Sequence, residues 1–440
     1  MTEKIRVALV TPGLGLGGTE KGLVSLATRI DQGRFAPRVV CLGESGPREA
    51  ALRAVGIPVA ANRGEPEALV QELSDTDVVH VFRHGIAEPL VPAAASAAGV
   101  RVLIESNIFG ARDRSPDEKA FACHLFISMM CLLRYRRQAG LQNGFDERHR
   151  VLYLPVEWQN LRHLAPSVSE ARTRLGLDPE RPVVGRLGRQ ADLKWRDLLI
   201  DMIPHLLEAV PDAQVLLVGT TPSKRARLER LGLLDRVTLL DPVSDEQQLA
   251  AIYSACDVVV NASTIGESQG LAIAEAMSLG IPVVACSTPW VDNAQVEFIE
   301  NGHTGWIANH PAEFAEAVSD LLRHAERREQ FGARAQEAIE RRLDPTMLTR
   351  QLERLYLYHL HETVLSCWSP SDDELIAFAD GYSCRAGASF RKLSSRERLD
   401  AALARAKETV IRRSTAVRMV TVSARRRLTW RGRWTPGSGC

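Results

Sequence analysis

Two glutamates eight residues apart, Glu267 and Glu275, stand in NASTIGESQGLAIAEAMSLGIPVVA (261–285), which reads as a strand, a loop, a helix opening near Gly270 and a second strand. Glu267 falls in the loop beyond the strand's carboxyl end, and Glu275 falls one to two turns into the helix. In an open α/β sheet the ligand crevice lies outside those carboxyl ends, and a glycine-containing helix start offers free N–H groups and a positive dipole end to phosphate. A carboxylate inside the helix can accept hydrogen bonds from the paired hydroxyls of a ribose. Taken alone, either glutamate also reads as a solvated helix or turn residue.

A second segment, GRLGRQADLKWRDLLID (185–201), ends a strand at Gly185 and carries Arg186, Arg189 and Lys194 in the loop before a helix. Arginine grips phosphate oxygens in pairs and lysine supplies a mobile point charge, so the three suit a diphosphate leaving group without a divalent metal; taken alone they also read as a solvated loop. A third, PGLGLGGTEKGLVSLA (12–27), is a glycine-rich turn entering a helix directly after the first strand. It resembles the dinucleotide fingerprint only weakly, because Val40-Cys41-Leu42-Gly43 stands where the second strand would end in an acidic residue. His84, in the FRHG loop, is a candidate sugar contact or an ordinary loop histidine, and His80, inside the strand, reads as structural. Asp75-Thr76-Asp77 has the DxD form of metal-dependent transferases but precedes a strand instead of ending one, and no His/Cys cluster has zinc spacing, so no metal and no cofactor are expected.

These segments need strands to hang from. Short apolar runs, IRVALVT (5–11), DVVHVF (77–82), VRVLIE (100–105) and HLFIS (124–128), alternate with helix-like stretches. After Ala165-Pro166-Ser167 the rhythm restarts with PVVGRL (182–187), AQVLLVG (213–219), RVTLL (236–240), DVVVNAS (257–263) and PVVAC (282–286). That alternation predicts α/β architecture, with two Rossmann-like doubly wound parallel-sheet domains following each other along the chain. The expected units are 1–165, 175–345, a helix at 346–365 returning to the first domain, and a basic C-terminal extension at 366–440.

The 440 residues exceed one core. With Lys+Arg 55 against Asp+Glu 54, overall charge names no partner. Eight scattered cysteines without a CxxC pair predict a reducing, cytoplasmic setting; MTEKIRVALVTPG has no apolar h-region and no stretch approaches about 18 apolar residues, so neither export nor a membrane span is expected. From Arg385 onward fifteen Lys+Arg stand against three acids, and RLDAALARAKETVIRRSTAVRMVTVSARRRLTW (398–430) can run helically. With Trp430 and Trp434 this tail suits peripheral contact with the inner face of an anionic membrane, or a solvated or subunit-packed tail, while no groove-reading motif points to nucleic acid.

The Glu-x7-Glu spacing followed by AMSLGIPVVA, the upstream VGRL with its later Lys, the DVVVNAS strand, ENGHTGW (300–306) and the early Gly-Gly together resemble the large retaining GT-B glycosyltransferase family four. The likeness spans residues 5 to 360 and is strongest over 182–310. It implies a transferase moving a sugar from a nucleotide-diphosphate sugar to a hydroxyl-bearing acceptor: a glycolipid, a polysaccharide precursor or a small-molecule glycoside. By that resemblance Glu275 holds the donor ribose, and Glu267 faces the transferred sugar with the backbone around Ser268, Gln269, Gly270 and Leu271. Lys194 with Arg186 or Arg189 binds the diphosphate, Gly17 and Gly18 approach it from across the cleft, and the Leu240–Val243 segment, with Pro242 and Val243, contacts the base. Departures are clear. The family's sugar-contacting His is Asn107 here, leaving that role to Asn107 or His84; Leu154-Pro155-Val156-Glu157 replaces Asn-Gly-Val-Asp; Asn293-Ala294 replaces Gly-Gly before Glu297; and Lys194 follows Arg186 at longer spacing than usual. Rival readings are an epimerase or phosphorylase on the same fold and a binding subunit without catalysis.

Overall fold

A computed structural model of the chain describes residues 3–85, 87–141, 147–288, 291–361, 363–365 and 368–391. The segment 398–430 and Trp434 of the basic tail, for which membrane contact is one of the readings, lie outside the described residues. Seven strands, β1 (Ile5–Thr11), β2 (Phe35–Cys41), β3 (Val59–Ala61), β4 (Val78–Arg83), β5 (Val102–Asn107), β6 (Cys123–Phe126) and β7 (His149–Val151), form a first sheet. Six more, β8 (Val183–Arg186), β9 (Gln214–Val218), β10 (Val237–Leu240), β11 (Val258–Asn261), β12 (Val283–Ala285) and β13 (Gly305–Ile307), form a second. Both sheets are parallel throughout, in the orders 3-2-1-4-5-6-7 and 10-9-8-11-12-13. Helices cover both faces, which is why strands such as VVHVFR are buried at every position instead of alternating.

In each sheet the order reverses once, between β1 and β4 and between β8 and β11. Crevices form at such switch points, and the glycine-rich turn follows β1, the cationic loop follows β8 and the Glu267 loop follows β11. The pairing of Arg83 with Asn107 aligns the ends of β4 and β5, so the His84 loop emerges beside Asn107.

One apolar cluster runs from β1 and β5 through Leu152, Tyr153 and Leu154 to β11, β12 and the helix Pro345–His359. The outer faces of the two sheets carry separate clusters. The Pro345–His359 helix returns to the first domain, where Tyr356 Oη and Ser106 Oγ each lie 2.8 Å from a ring nitrogen of buried His80. Burial pushes that imidazole down to about 3, so it is neutral and structural. A last helix, Asp372–Arg391, packs on Met129–Ala139 from the first domain and Gln295–Phe298 from the second, burying Leu375 and Phe378.

Candidate active site

The loop after β11 is built by backbone that only glycine adopts freely. Gly266 and Gly270 have φ of +66° and +87°, and a Cβ on Gly266 would stand 1.6 Å from the Asp292 carbonyl oxygen. Gly270 forms the N-cap of the helix Leu271–Ser278, in which Glu275 is the fifth residue. Glu275 is buried, and its Oε2 accepts from the Tyr253 hydroxyl at 2.9 Å. Glu267 Oε2 accepts from Lys194 Nζ at 2.8 Å, and the same ammonium donates to the Gly266 carbonyl at 3.1 Å. The acidic loop and the cationic loop therefore meet at the carboxyl ends of β8 and β11.

The two arginines of the cationic loop separate. Arg186 is buried, donates to the carbonyls of Val218 and Lys194 at 2.8 Å each, and lies 3.8 Å over the ring of fully buried Trp195. Burial pushes its guanidinium down to about 9, still charged at neutral pH. Its hydrogen bonds shape the Lys194 loop, whereas Arg189 is exposed. On the base side Pro242 is exposed and Val243 half-buried, just beyond β10.

The facing wall is one stripe of the helix Gly18–Arg29, capped by Gly17. Residues three and four apart share a helix face. A Cβ on Gly18 would lie 2.9 Å from Leu271 Cδ1, and one on Gly22 2.8 Å from Leu154. Between them Lys21 Nζ donates to Glu275 Oε1 at 2.6 Å, across the domain boundary. Further along, Ser25 and Arg29 donate to Glu157, which stands in the segment leading to the second domain.

Other expected residues are placed with different partners. The Gln269 amide pairs with both backbone groups of Leu154, at 2.7 and 2.8 Å, and so fixes the interdomain segment. Ser268 Oγ donates to Asp292 at 2.5 Å, and Asp292 also pairs with Arg134 of the first domain. Asn107 is buried, and its Nδ2 donates to the Ala111 carbonyl at 2.8 Å, holding the following loop closed. His84 is exposed, with its ring 4.9 Å from that of Phe109. Asp77 accepts from the Arg6 backbone N–H at 2.9 Å and Nε at 3.2 Å. Among the described residues no group of three or more His, Cys, Asp or Glu is placed to hold a metal ion.

Sequence reasoning passed over Lys21 and Tyr253, and met Glu297 only as a motif position. The signal for Lys21 was the 18, 21, 22, 25, 29 stripe of one helix face; Tyr253 had none. Glu297 accepts from the Met129 and Met130 N–H groups at 3.1 and 2.7 Å and from the Tyr153 hydroxyl at 3.2 Å. It thereby caps a first-domain helix from the second domain. Burial pushes its carboxyl up to about 7, outweighing those hydrogen bonds, which pull it down.

Two doubly wound parallel-sheet domains with switch-point loops meeting across a cleft define the GT-B class. HepE of Anabaena, solved with UDP, superposes with a TM-score of 0.67 at 22% identity, covering 80% of this chain and 99% of that one. A glycosyltransferase from Rickettsia africae ESF-5 gives 0.67 at 15% identity, over 82% and 100%. Both likenesses concern the fold. Residues 181–324, most of the second domain, match the family described as Glycosyl transferases group 1. It is 33% identical over 165 residues to the phosphatidyl-myo-inositol mannosyltransferase of Mycobacterium leprae (strain TN), covering 37% of this chain and 42% of that protein. It is 32% identical over 261 residues to the D-inositol 3-phosphate glycosyltransferase of Nocardia farcinica (strain IFM 10152), covering 56% of each. The chain thus spans about half the length of these curated relatives.

Proposed function

We propose that this chain is a glycosyltransferase that moves a sugar from a nucleoside-diphosphate sugar to a hydroxyl acceptor, with retention at the anomeric carbon and without a metal. The observation that carries the reading is the meeting of Glu267 with Lys194 at 2.8 Å at the switch point, with Glu275 on the following helix facing the first domain. Glu275 accepts the ribose hydroxyls. Lys194, its loop set by Arg186, neutralises the departing diphosphate together with exposed Arg189. The backbone at Ser268, Gln269 and Gly270 faces the transferred sugar with Glu267, and His84 supplies the imidazole that Asn107, turned to Ala111, does not. Gly17 and Gly18 let the first domain close on the phosphates and exclude water. The acceptor hydroxyl attacks on the face the nucleotide leaves, and the leaving diphosphate takes its proton. The cytoplasmic face of a membrane and a polysaccharide or glycolipid product fit the basic tail.

The test is turnover of a nucleotide-sugar panel, beginning with uridine donors because HepE was solved with UDP. Glu275→Ala and Lys194→Ala should each abolish transfer while leaving the protein folded, and transfer should persist in a chelator. Near-normal turnover in either variant removes the assignment. Accumulation of an epimer or a sugar phosphate instead of a glycoconjugate would replace transfer with another reaction on the same fold.

A further inference from the structure

Both oxygens of the carboxylate that the proposed function assigns to the ribose are engaged by donors of the protein itself. Glu275 Oε2 takes the Tyr253 hydroxyl at 2.9 Å, and Oε1 takes the Lys21 ammonium at 2.6 Å. The two side chains of the ion pair are 14% and 9% exposed, so neither is a surface charge trailing in solvent. Lys21 Nζ is also 3.8 Å from Glu246 Oε1, on the helix that follows the β10 loop. Burial pulls the ammonium down, but the attraction of Glu275 and Glu246 outweighs it and its pKa is raised, so Lys21 stays charged. The contact crosses the cleft between residues 254 apart in sequence, and nothing in the covalent structure of either domain requires it.

We propose that Lys21 is a resident occupant of the ribose subsite: its ammonium stands where the donor's vicinal diol docks, and the diol must displace it from Glu275 to bind. The inference rests on the assignment of Glu275 to ribose. A diol offers Glu275 two O–H donors in place of one N–H donor, so the exchange keeps a buried carboxylate satisfied throughout. The displaced ammonium remains beside Glu246, so its charge is not stranded. Lys21 therefore subtracts from donor affinity and confines that penalty to ligands carrying ribose hydroxyls. It also makes nucleotide occupancy felt by the helix Gly18–Arg29, because the residue that moves belongs to the stripe that docks that helix on Leu271 and Leu154.

The test is a two-by-two cycle on the full chain by calorimetry. One arm compares the wild type with Lys21→Met. The other compares UDP, GDP or ADP, whichever binds the wild type most tightly, with its 2′,3′-dideoxy analogue. Displacement predicts that Lys21→Met tightens the ribonucleotide about tenfold by removing the competing state, and leaves the dideoxy analogue unchanged. Lys21→Arg, which keeps the charge, should restore wild-type affinity for the ribonucleotide. A merely structural Lys21 would shift both ligands by the same factor, and that result overturns the proposal. Weaker ribonucleotide binding in Lys21→Met overturns it as well, making Lys21 a donor ligand in its own right. If none of the three nucleotides binds either protein, the ribose assignment and the proposed function fail, an outcome distinct from a flat cycle with bound nucleotide.

Discussion

Two glycines show how the cost of the same substitution depends on what surrounds it. Gly266 has φ +66°, and its Cβ would meet backbone oxygen; a Cβ on Gly18 would meet only the far end of the flexible Leu271 side chain. Gly266→Ala should cost more than about 2 kcal/mol of stability and Gly18→Ala less than about 1, measured by denaturant unfolding. Glu297 supplies a pH prediction. Its carboxyl titrates at about 7 in the folded chain against an ordinary 4.5, so the folded state holds a proton that the unfolded state releases. The resulting stabilisation is complete below pH 4.5 and is lost as pH rises through 7. The difference corresponds to about 3 kcal/mol. Glu297→Gln should remove that slope from a plot of unfolding free energy against pH; an unchanged slope would place the titration elsewhere. At this scale the sequence disclosed residue type and loop position but not partners. The loop positions of Glu267 and Lys194 after strands, and the helix position of Glu275, were legible. The inward turn of Asn107 and the burial of Arg186 were not, since each depends on carbonyls that only the fold brings near, Ala111 for Asn107 and Val218 and Lys194 for Arg186.

At the scale of elements, the helix Pro345–His359 ties the chain's last third back to its first strands. Its Tyr356 hydroxyl meets His80, which is fully buried and neutral. Tyr356→Phe leaves the imidazole nitrogen without its partner, and should lower stability by about 1–3 kcal/mol while activity per folded molecule is retained. Denaturant titration read against specific activity checks both halves. Most strands were plain in the sequence, because parallel strands covered on both faces read as uninterrupted Val/Ile runs, whereas the short strands Val59–Ala61, His149–Val151 and Gly305–Ile307 carry no such run and were not read. The βαβ rhythm implied parallel, doubly wound sheets but not the strand order. What the rhythm could not supply was what the stripe on Gly18–Arg29 meets: Leu271 at Gly18, Glu275 at Lys21, Leu154 at Gly22, and Glu157 at Ser25 and Arg29. The helix Asp372–Arg391 lies where composition predicted only a basic appendage, and its Leu375 and Phe378 are buried against both domains.

For the whole molecule, the shared apolar cluster carries a thermodynamic consequence. Residues from both sheets and from the returning helix belong to one continuous core. The chain should therefore unfold in one calorimetric transition in spite of its two sheets, and two resolved transitions would contradict this. Domain count was readable from the sequence; this coupling was not, because it depends on Gln269, Glu297 and Lys21 meeting partners over 100 residues away. The chain passes between the domains near Val156 and again near Leu343, and those two passages are bonded to each other, Val156 N–H to the Leu343 carbonyl at 3.2 Å. Two passages of backbone fastened together make one hinge point, about which rotation of the halves keeps the bond that sliding would break. Such a joint magnifies a small angular change at the pivot into a large opening at the far lip, like scissors held near the rivet.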